Sequence, residues 1–157
     1  MTGPDQIYGY EGECWAFDQL VDHGYHPRFD PDFHAPGRDL IVNGLPVEIK
    51  IAHPTYRSDR GTLRKRWQWF IHPTTHAIGE YALILIADDS TGKRYAYIVP
   101  GSAIGHRTHI QLTSHPDKYR GWIAKFRNRW DTIEYLAQEV YANQGPLFDQ
   151  WVGRVAA

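Results

Sequence analysis

Apolar residues fall into three rhythms along this chain, and each rhythm predicts an element. From about Gly9 to His23 they return every three or four positions, the period of one helix face. Gly24 stands where a terminating cap glycine belongs. An extended piece, YHPRFD, and a turn-rich stretch, PDFHAPG, follow. The rhythm then changes to strict alternation in Asp39–Val42 and Leu45–Ile51, separated by Asn43-Gly44, a strong two-residue hairpin signal. After a basic loop, RWQWFIH reads as a strand, EYALILIA as a buried strand, and KRYAYIVP as a strand entered through the turn DDSTGK. THIQL is a short strand. From Lys118 to about Asn143 the spacing is helical, with a break near Trp130. Helix, several strands, then helix predicts an α/β domain around one mixed sheet flanked by helices. It is a single domain over residues 1–157, with a C-terminal helical segment at about 116–145.

The hairpin carries the candidate chemistry. A two-residue turn at Asn43-Gly44 pairs Val42 with Leu45 and Leu40 with Val47, which sets Asp39 opposite Glu48. Leu40, Val42, Leu45, Val47, Ile49 and Ile51 then share a core face. Asp39, Glu48 and Lys50 share the other face with Ile41 and Pro46. Two carboxylates directly across a strand pair repel, so the arrangement calls for a cation or a proton between them. Hard divalent ions such as Mg²⁺, for which Mn²⁺ may substitute, take carboxylate oxygens and keep waters for chemistry. Lys50 lies close enough to orient or deprotonate a water or to neutralise developing charge. Pro46 cannot donate to a ladder, which predicts a bulged or edge-like pairing there. On the first helix Glu13 shares the stripe of Ala16, Phe17 and Leu20 and is expected to point toward the hairpin, where it completes a metal shell directly or through water, or else caps the helix N-terminus. Glu11 falls on a mostly polar face with Trp15, Asp18 and Asp22. A solvated surface hairpin is the plainer reading of such spacing, but the apolar strand around Glu48, the inward acid and the flanking basic runs argue against it.

Composition changes this picture little. The chain has 157 residues, 42% of them apolar, a net charge of −1 and a single cysteine. That describes one globular domain, with no membrane span, no secretion signal and no internal disulfide; the expectation is a cytoplasmic protein. The distribution of charge says more. Residues 1–39 hold eight acids and two bases, residues 57–66 five bases and one acid, and residues 118–129 five bases and no acid. Two basic, aromatic-rich runs around an acidic centre suit a phosphate-binding surface. Arg57, Arg60, Arg64, Lys65 and Arg66 are the candidate DNA contacts, with Gln68 next on the following strand. Trp67 and Trp69 read as core. Trp122, Phe126 and Trp130 recur every four residues and read as a helical packing stripe, with a dimer interface left open. His53, His72 and His76 do not form a zinc ligand pattern.

The segments GYEGECWAFDQLVDHGY, GRDLIVNG and VEIKIA together resemble the PD-(D/E)XK nuclease superfamily, which includes many restriction enzymes, Holliday-junction resolvases and some intron-homing endonucleases. WQWFIH, EYALILIA and YAYIVP are similar to the later strands of its small members, so the resemblance covers about residues 8–112. One departure is Arg38 before Asp39, with Pro36 further back. The resemblance implies a restriction-endonuclease-like core. It implies that Asp39 and Glu48 bind Mg²⁺ with the backbone carbonyl of Ile49, that Lys50 assists the attacking water, and that Glu13 supports the metal or its waters. The expected activity is metal-dependent hydrolysis of double-stranded or branched DNA, in a protein of prokaryotic, phage or archaeal origin. Restriction, junction resolution, homing and repair are not separated. The rival reading is a catalytically silent DNA-binding or scaffold domain on the same fold; an unrelated small-substrate metalloenzyme suits the basic runs less well.

Overall fold

A computed structural model of the chain describes residues 4–30, 39–72 and 80–143. The PDFHAPG turn, Pro36, Arg38, His76 and everything beyond Asn143 lie outside the described residues. The first helix, α1 (Pro4–Asp22), ends where expected: Gly24 adopts φ +86°. The Tyr25 N–H donates to Leu20 O at 2.9 Å, closing the last turn.

The strands are β1 (Arg28–Phe29), β2 (Leu40–Val42), β3 (Leu45–Ala52), β4 (Thr55–Asp59), β5 (Thr62–Phe70), β6 (Ala82–Asp88), β7 (Arg94–Pro100) and β8 (His109–Leu112). A short helix, α2 (Gly101–Ile104), follows β7, and α3 (Asp131–Asn143) follows β8. The central sheet is mixed and runs β1-β2-β3-β6-β7, with β3 antiparallel to β2 and parallel to β6. The hairpin register is the expected one, Val42 with Leu45 and Leu40 with Val47. Asn43 and Gly44 take φ of 52° and 79°, the doubly positive pair that a tight hairpin needs. In such a hairpin Ile41 and Pro46 form a pair without ladder hydrogen bonds. The missing Pro46 N–H therefore faces away from β2, and pairing with β6 begins only at Val47.

Three expectations are corrected. The segment after β3 is not a basic loop but a second hairpin, β4–β5, turned at Arg60-Gly61 with φ of 51° and 80°. The strands do not form one sheet, because β4, β5 and β8 make a separate antiparallel sheet. Trp67 and Trp69 dock it onto β6: their indole N–H groups donate to Asp88 O at 2.8 Å and Ile86 O at 3.1 Å. Finally, residues 118–129 are not a regular helix. They hold one short 3₁₀ turn (Ala124–Phe126), and Asn128 sits at φ +56°. The Asn128 N–H donates to Ala96 O at 2.9 Å. The chain here lies along the β7 edge, and Trp130 packs in one core while Trp122 and Phe126 pack against another. Only Trp130 of the three aromatics is buried; Trp122 and Phe126 are half-buried, so the four-residue spacing did not mark one helical packing stripe.

There are two cores, one on each face of the central sheet. The first gathers Ala16, Leu20, Leu40, Val42, Leu45, Val47 and Ile49, with Ile133 and Leu136 of α3. The second gathers Trp67, Trp69, Tyr81, Leu83, Leu85 and Ile110. The face of β3 carrying Glu48 is therefore covered too. Among the described residues no helix is long and apolar enough to cross a membrane.

Candidate functional site

Four side chains converge where β2 begins, at the middle of β3 and on α1. Asp39 does not stand in a simple pair with Glu48, as alternation alone would place it. The paired register stops at Leu40, and the Asp39 N–H donates to Val47 O at 3.0 Å. Asp39 and Leu40 thus both face Val47, two residues against one in the manner of a bulge, which re-aims a side chain. The Asp39 carboxylate is swung onto the β3 backbone, where Oδ2 accepts from the Ile49 N–H at 2.7 Å. A residue's N–H and C=O point to the same side of a strand, so the Ile49 carbonyl also faces the Asp39 side.

Glu48 is only 6% exposed. Its Oε1 lies 3.1 Å from Lys50 Nζ. Its Oε2 is buried and has no hydrogen-bond partner among the described residues. Such an orphaned carboxylate oxygen is costly. The third acid, Glu13, arrives because α1 crosses β3 closely at Gly12, where an added Cβ would lie 3.1 Å from Ile51 Cβ. Nothing in the helical rhythm flagged Gly12; only the approach of the strand reveals it.

Proton affinities record the crowding. Burial raises Asp39 from 3.8 to about 6; the Ile49 N–H opposes the rise, the Glu48 charge adds to it and Lys50 lowers it. Burial also raises Glu13 from 4.5 to about 7, and the neighbouring Asp39 reinforces this. The hydrogen bond between the two acids adds to the rise of Glu13 and opposes that of Asp39, as two carboxyls sharing one proton would. The phenol of Tyr81, also near Glu48, is pushed up to about 12, chiefly by burial.

Among the described residues no three His, Cys, Asp or Glu side chains are already placed to hold a metal ion. The donors are nonetheless of the hard-oxygen type. They comprise a buried carboxylate with an unused oxygen, a second carboxylate beside it and a backbone carbonyl facing them. A Mg²⁺-like ion takes one or two carboxylates and retains water, so the residues fit such an ion.

The basic run divides differently from a single cluster. Arg57 and Arg64 are direct cross-strand partners, and Arg66 pairs with Thr55. Alternation puts Arg57, Arg64, Arg66 and Gln68 on one face of the second sheet. Lys65 is on the other face, near Asp89, whose pKa is lowered chiefly by its hydrogen bond with Thr91 and least by Lys65. Arg60 occupies the turn itself.

No protein-family model matches the chain, and no curated protein matches it. Among solved structures, the fold is similar to that of a bacterial homing endonuclease, I-Ssp6803I, with a TM-score of 0.58 and 14% identity. The match covers 92% of this chain and 98% of that one. At that identity the likeness establishes a shared mixed α/β fold over nearly the whole of both chains.

Proposed function

We propose that the chain is a Mg²⁺-dependent DNA endonuclease of the PD-(D/E)XK type. The observation that carries this reading is the surplus of acid at one point: Glu48 Oε2 is buried without a partner, beside two carboxylates whose proton affinities are both raised. The fold shared with a homing endonuclease supports it. Asp39 and Glu48 would hold Mg²⁺, or Mn²⁺ in its place, with the Ile49 carbonyl. A divalent ion bound there supplies a nucleophile at neutral pH and offsets charge on the scissile phosphate.

The chain's own groups divide the remaining work. The Ile49 N–H fixes the Asp39 carboxylate between β3 and Glu13. Lys50 has three donors and no lone pair, so it orients the attacking water or binds a phosphate oxygen but holds no metal. Positive charge nearby would lower the raised Glu13 proton affinity and favour its carboxylate form, which can accept hydrogen bonds from water. In the net reaction water adds to phosphorus while a bridging P–O bond breaks. Arg57 facing Arg64 is an unfavourable like-charge pair that the exposed Arg64–Asp59 contact at 4.0 Å offsets only in part, and a DNA phosphate between them would offset it further. Arg60, in the hairpin turn, would reach a neighbouring phosphate, whereas Lys65 lies on the other face, toward Asp89. The test is cleavage of linear, nicked and branched duplexes in Mg²⁺ against EDTA.

A further inference from the structure

The exposed face of the second sheet carries more than positive charge. Along β5 it presents Arg64, Arg66, Gln68 and Phe70, and β8 adds Gln111 opposite Gln68 and His109 opposite Phe70. On the opposite face, Trp67, Trp69, Ile110 and Leu112 are buried. The polar face is thus backed by a packed core, which is how a rigid recognition surface is built.

Within that face the groups are held. The Gln68 amide satisfies its neighbours when its oxygen accepts from Arg66 Nε at 3.1 Å and Nη2 at 3.0 Å, and its nitrogen donates to His109 Nε2 at 2.9 Å. The Arg66 fork is therefore anchored along one side. Its Nη1 hydrogens and the remaining Nη2 hydrogen stay available at the far end. A groove of about 350 Å³ adjoins it, lined by Arg57, Arg64, Arg66, Gln111 and Thr113 among others. An arginine meant only for phosphate needs no such buttress, since a mobile point charge serves as well.

We infer that this sheet face reads base edges in the DNA major groove, with Arg66, Gln68 and Gln111 as specificity-determining residues and Arg57 and Arg64 on the flanking phosphates. This rests on the endonuclease reading above. The dimensions agree. Neighbouring strands lie about 4.8 Å apart, and β5 pairs with β4 over Thr62–Arg66 and with β8 over Trp67–Phe70, so at each level the surface is a two-stranded ribbon that enters a groove about 12 Å wide. Side chains two apart on one strand are spaced by roughly 6.6 Å, close to the rise of two base pairs at ~3.4 Å each. Arginine presented end-on makes a bidentate contact with guanine O6 and N7, and glutamine with adenine N6 and N7. The surface thus prefers a short mixed G and A element and takes duplex DNA as its ligand. Because the hairpin begins three residues beyond the end of β3, the element read lies beside the cleavage site.

The experiment is selection from a randomised 30-base-pair duplex library in Ca²⁺ by the full chain, Arg66→Lys, Gln68→Ala and Lys65→Ala. The wild type should enrich a defined sequence. Arg66→Lys keeps the charge but loses the fork, so preference at one or two guanine positions should fall by roughly 10- to 100-fold while the rest of the sequence persists. Gln68→Ala should relax an adjacent position and weaken the Arg66 preference. Lys65→Ala, on the other face, should enrich the same sequence as wild type. An unchanged sequence with Arg66→Lys and Gln68→Ala would overturn the base-reading role, as would wild-type binding with no enriched sequence; both leave the endonuclease reading standing. Absence of binding to any duplex would remove both.

Discussion

Asp39 Oδ2 accepts a hydrogen bond from the backbone N–H of Ile49 at 2.7 Å, across the strand pair. That one bond ties the acid of β2 to the strand carrying the other two functional groups. It converts a loose pair of carboxylates into a fixed one. It also explains why a bulge at the start of β2 is retained, since an unbroken ladder would point Asp39 elsewhere.

The first prediction concerns metal. Asn at position 39 keeps an oxygen to accept from Ile49 but loses the charge. Mg²⁺ or Mn²⁺ titrated calorimetrically should bind wild type and not Asp39→Asn. Equal binding by both would move the metal away from this carboxylate.

A second prediction follows from the proton affinities. Asp39 and Glu13 are raised to about 6 and about 7. A raised carboxylate binds its proton more tightly in the folded state. Without metal it therefore contributes no penalty below the unfolded value, and an increasing penalty as pH climbs through the folded one. Asp39→Asn should melt like wild type near pH 4 and be more stable by about 1–2 kcal/mol at pH 7.5 without metal. Added Mg²⁺ should close that gap. A wild type more stable than Asp39→Asn at pH 7.5 without metal would contradict the crowding described.

The third prediction tests how Glu13 is delivered. Gly12 leaves room for Ile51 and little else. Gly12→Ala gains roughly 1 kcal/mol of helix propensity, which offsets slight crowding, and should be near neutral. Gly12→Val should cost about 1–3 kcal/mol by overpacking and lower cleavage by displacing α1. Thermal melts of the two variants measure this; equal stability for both would show that α1 does not lie against β3 at Gly12.

The fourth prediction concerns phosphates. Arg57→Ala with Arg64→Ala removes the like-charge cross-strand pair. Binding to duplex DNA in Ca²⁺ should lose about 1.8 from the slope of log K against log salt, ~0.9 for each contact. An unchanged slope would leave the hairpin end a solvated surface.

Much of the central hairpin was legible because alternation and Asn43-Gly44 fix its register, and register fixes which side chains share a face. Glu13 was legible from its place on an apolar helix stripe. The bulge at Asp39 was not, because it depends on a side chain capturing a backbone N–H ten residues away. The β4–β5 hairpin was hidden by its charge. Arg60-Gly61 makes the same kind of turn as Asn43-Gly44, but arginine at positive φ is uncommon, and exposed strands lack an apolar rhythm. Division into two sheets rests on where the Trp67 and Trp69 indoles find acceptors, which no local pattern records. The stretch around Trp122 and Phe126 was misread because a chain of irregular turns, like a helix, can lay aromatics against a core at that spacing.

The account turns on Lys50, which sits beside Glu48 without being able to ligate a metal. The decisive measurement is single-turnover cleavage in Mg²⁺ together with DNA binding in Ca²⁺, for wild type and Lys50→Ala. Wild type should cleave in Mg²⁺ and not in EDTA. Lys50→Ala should retain most of its affinity and lose on the order of a hundredfold or more in rate. A Lys50→Ala protein that cleaves at the wild-type rate, or a wild type that binds DNA and cleaves none of the linear, nicked or branched substrates, would contradict the account.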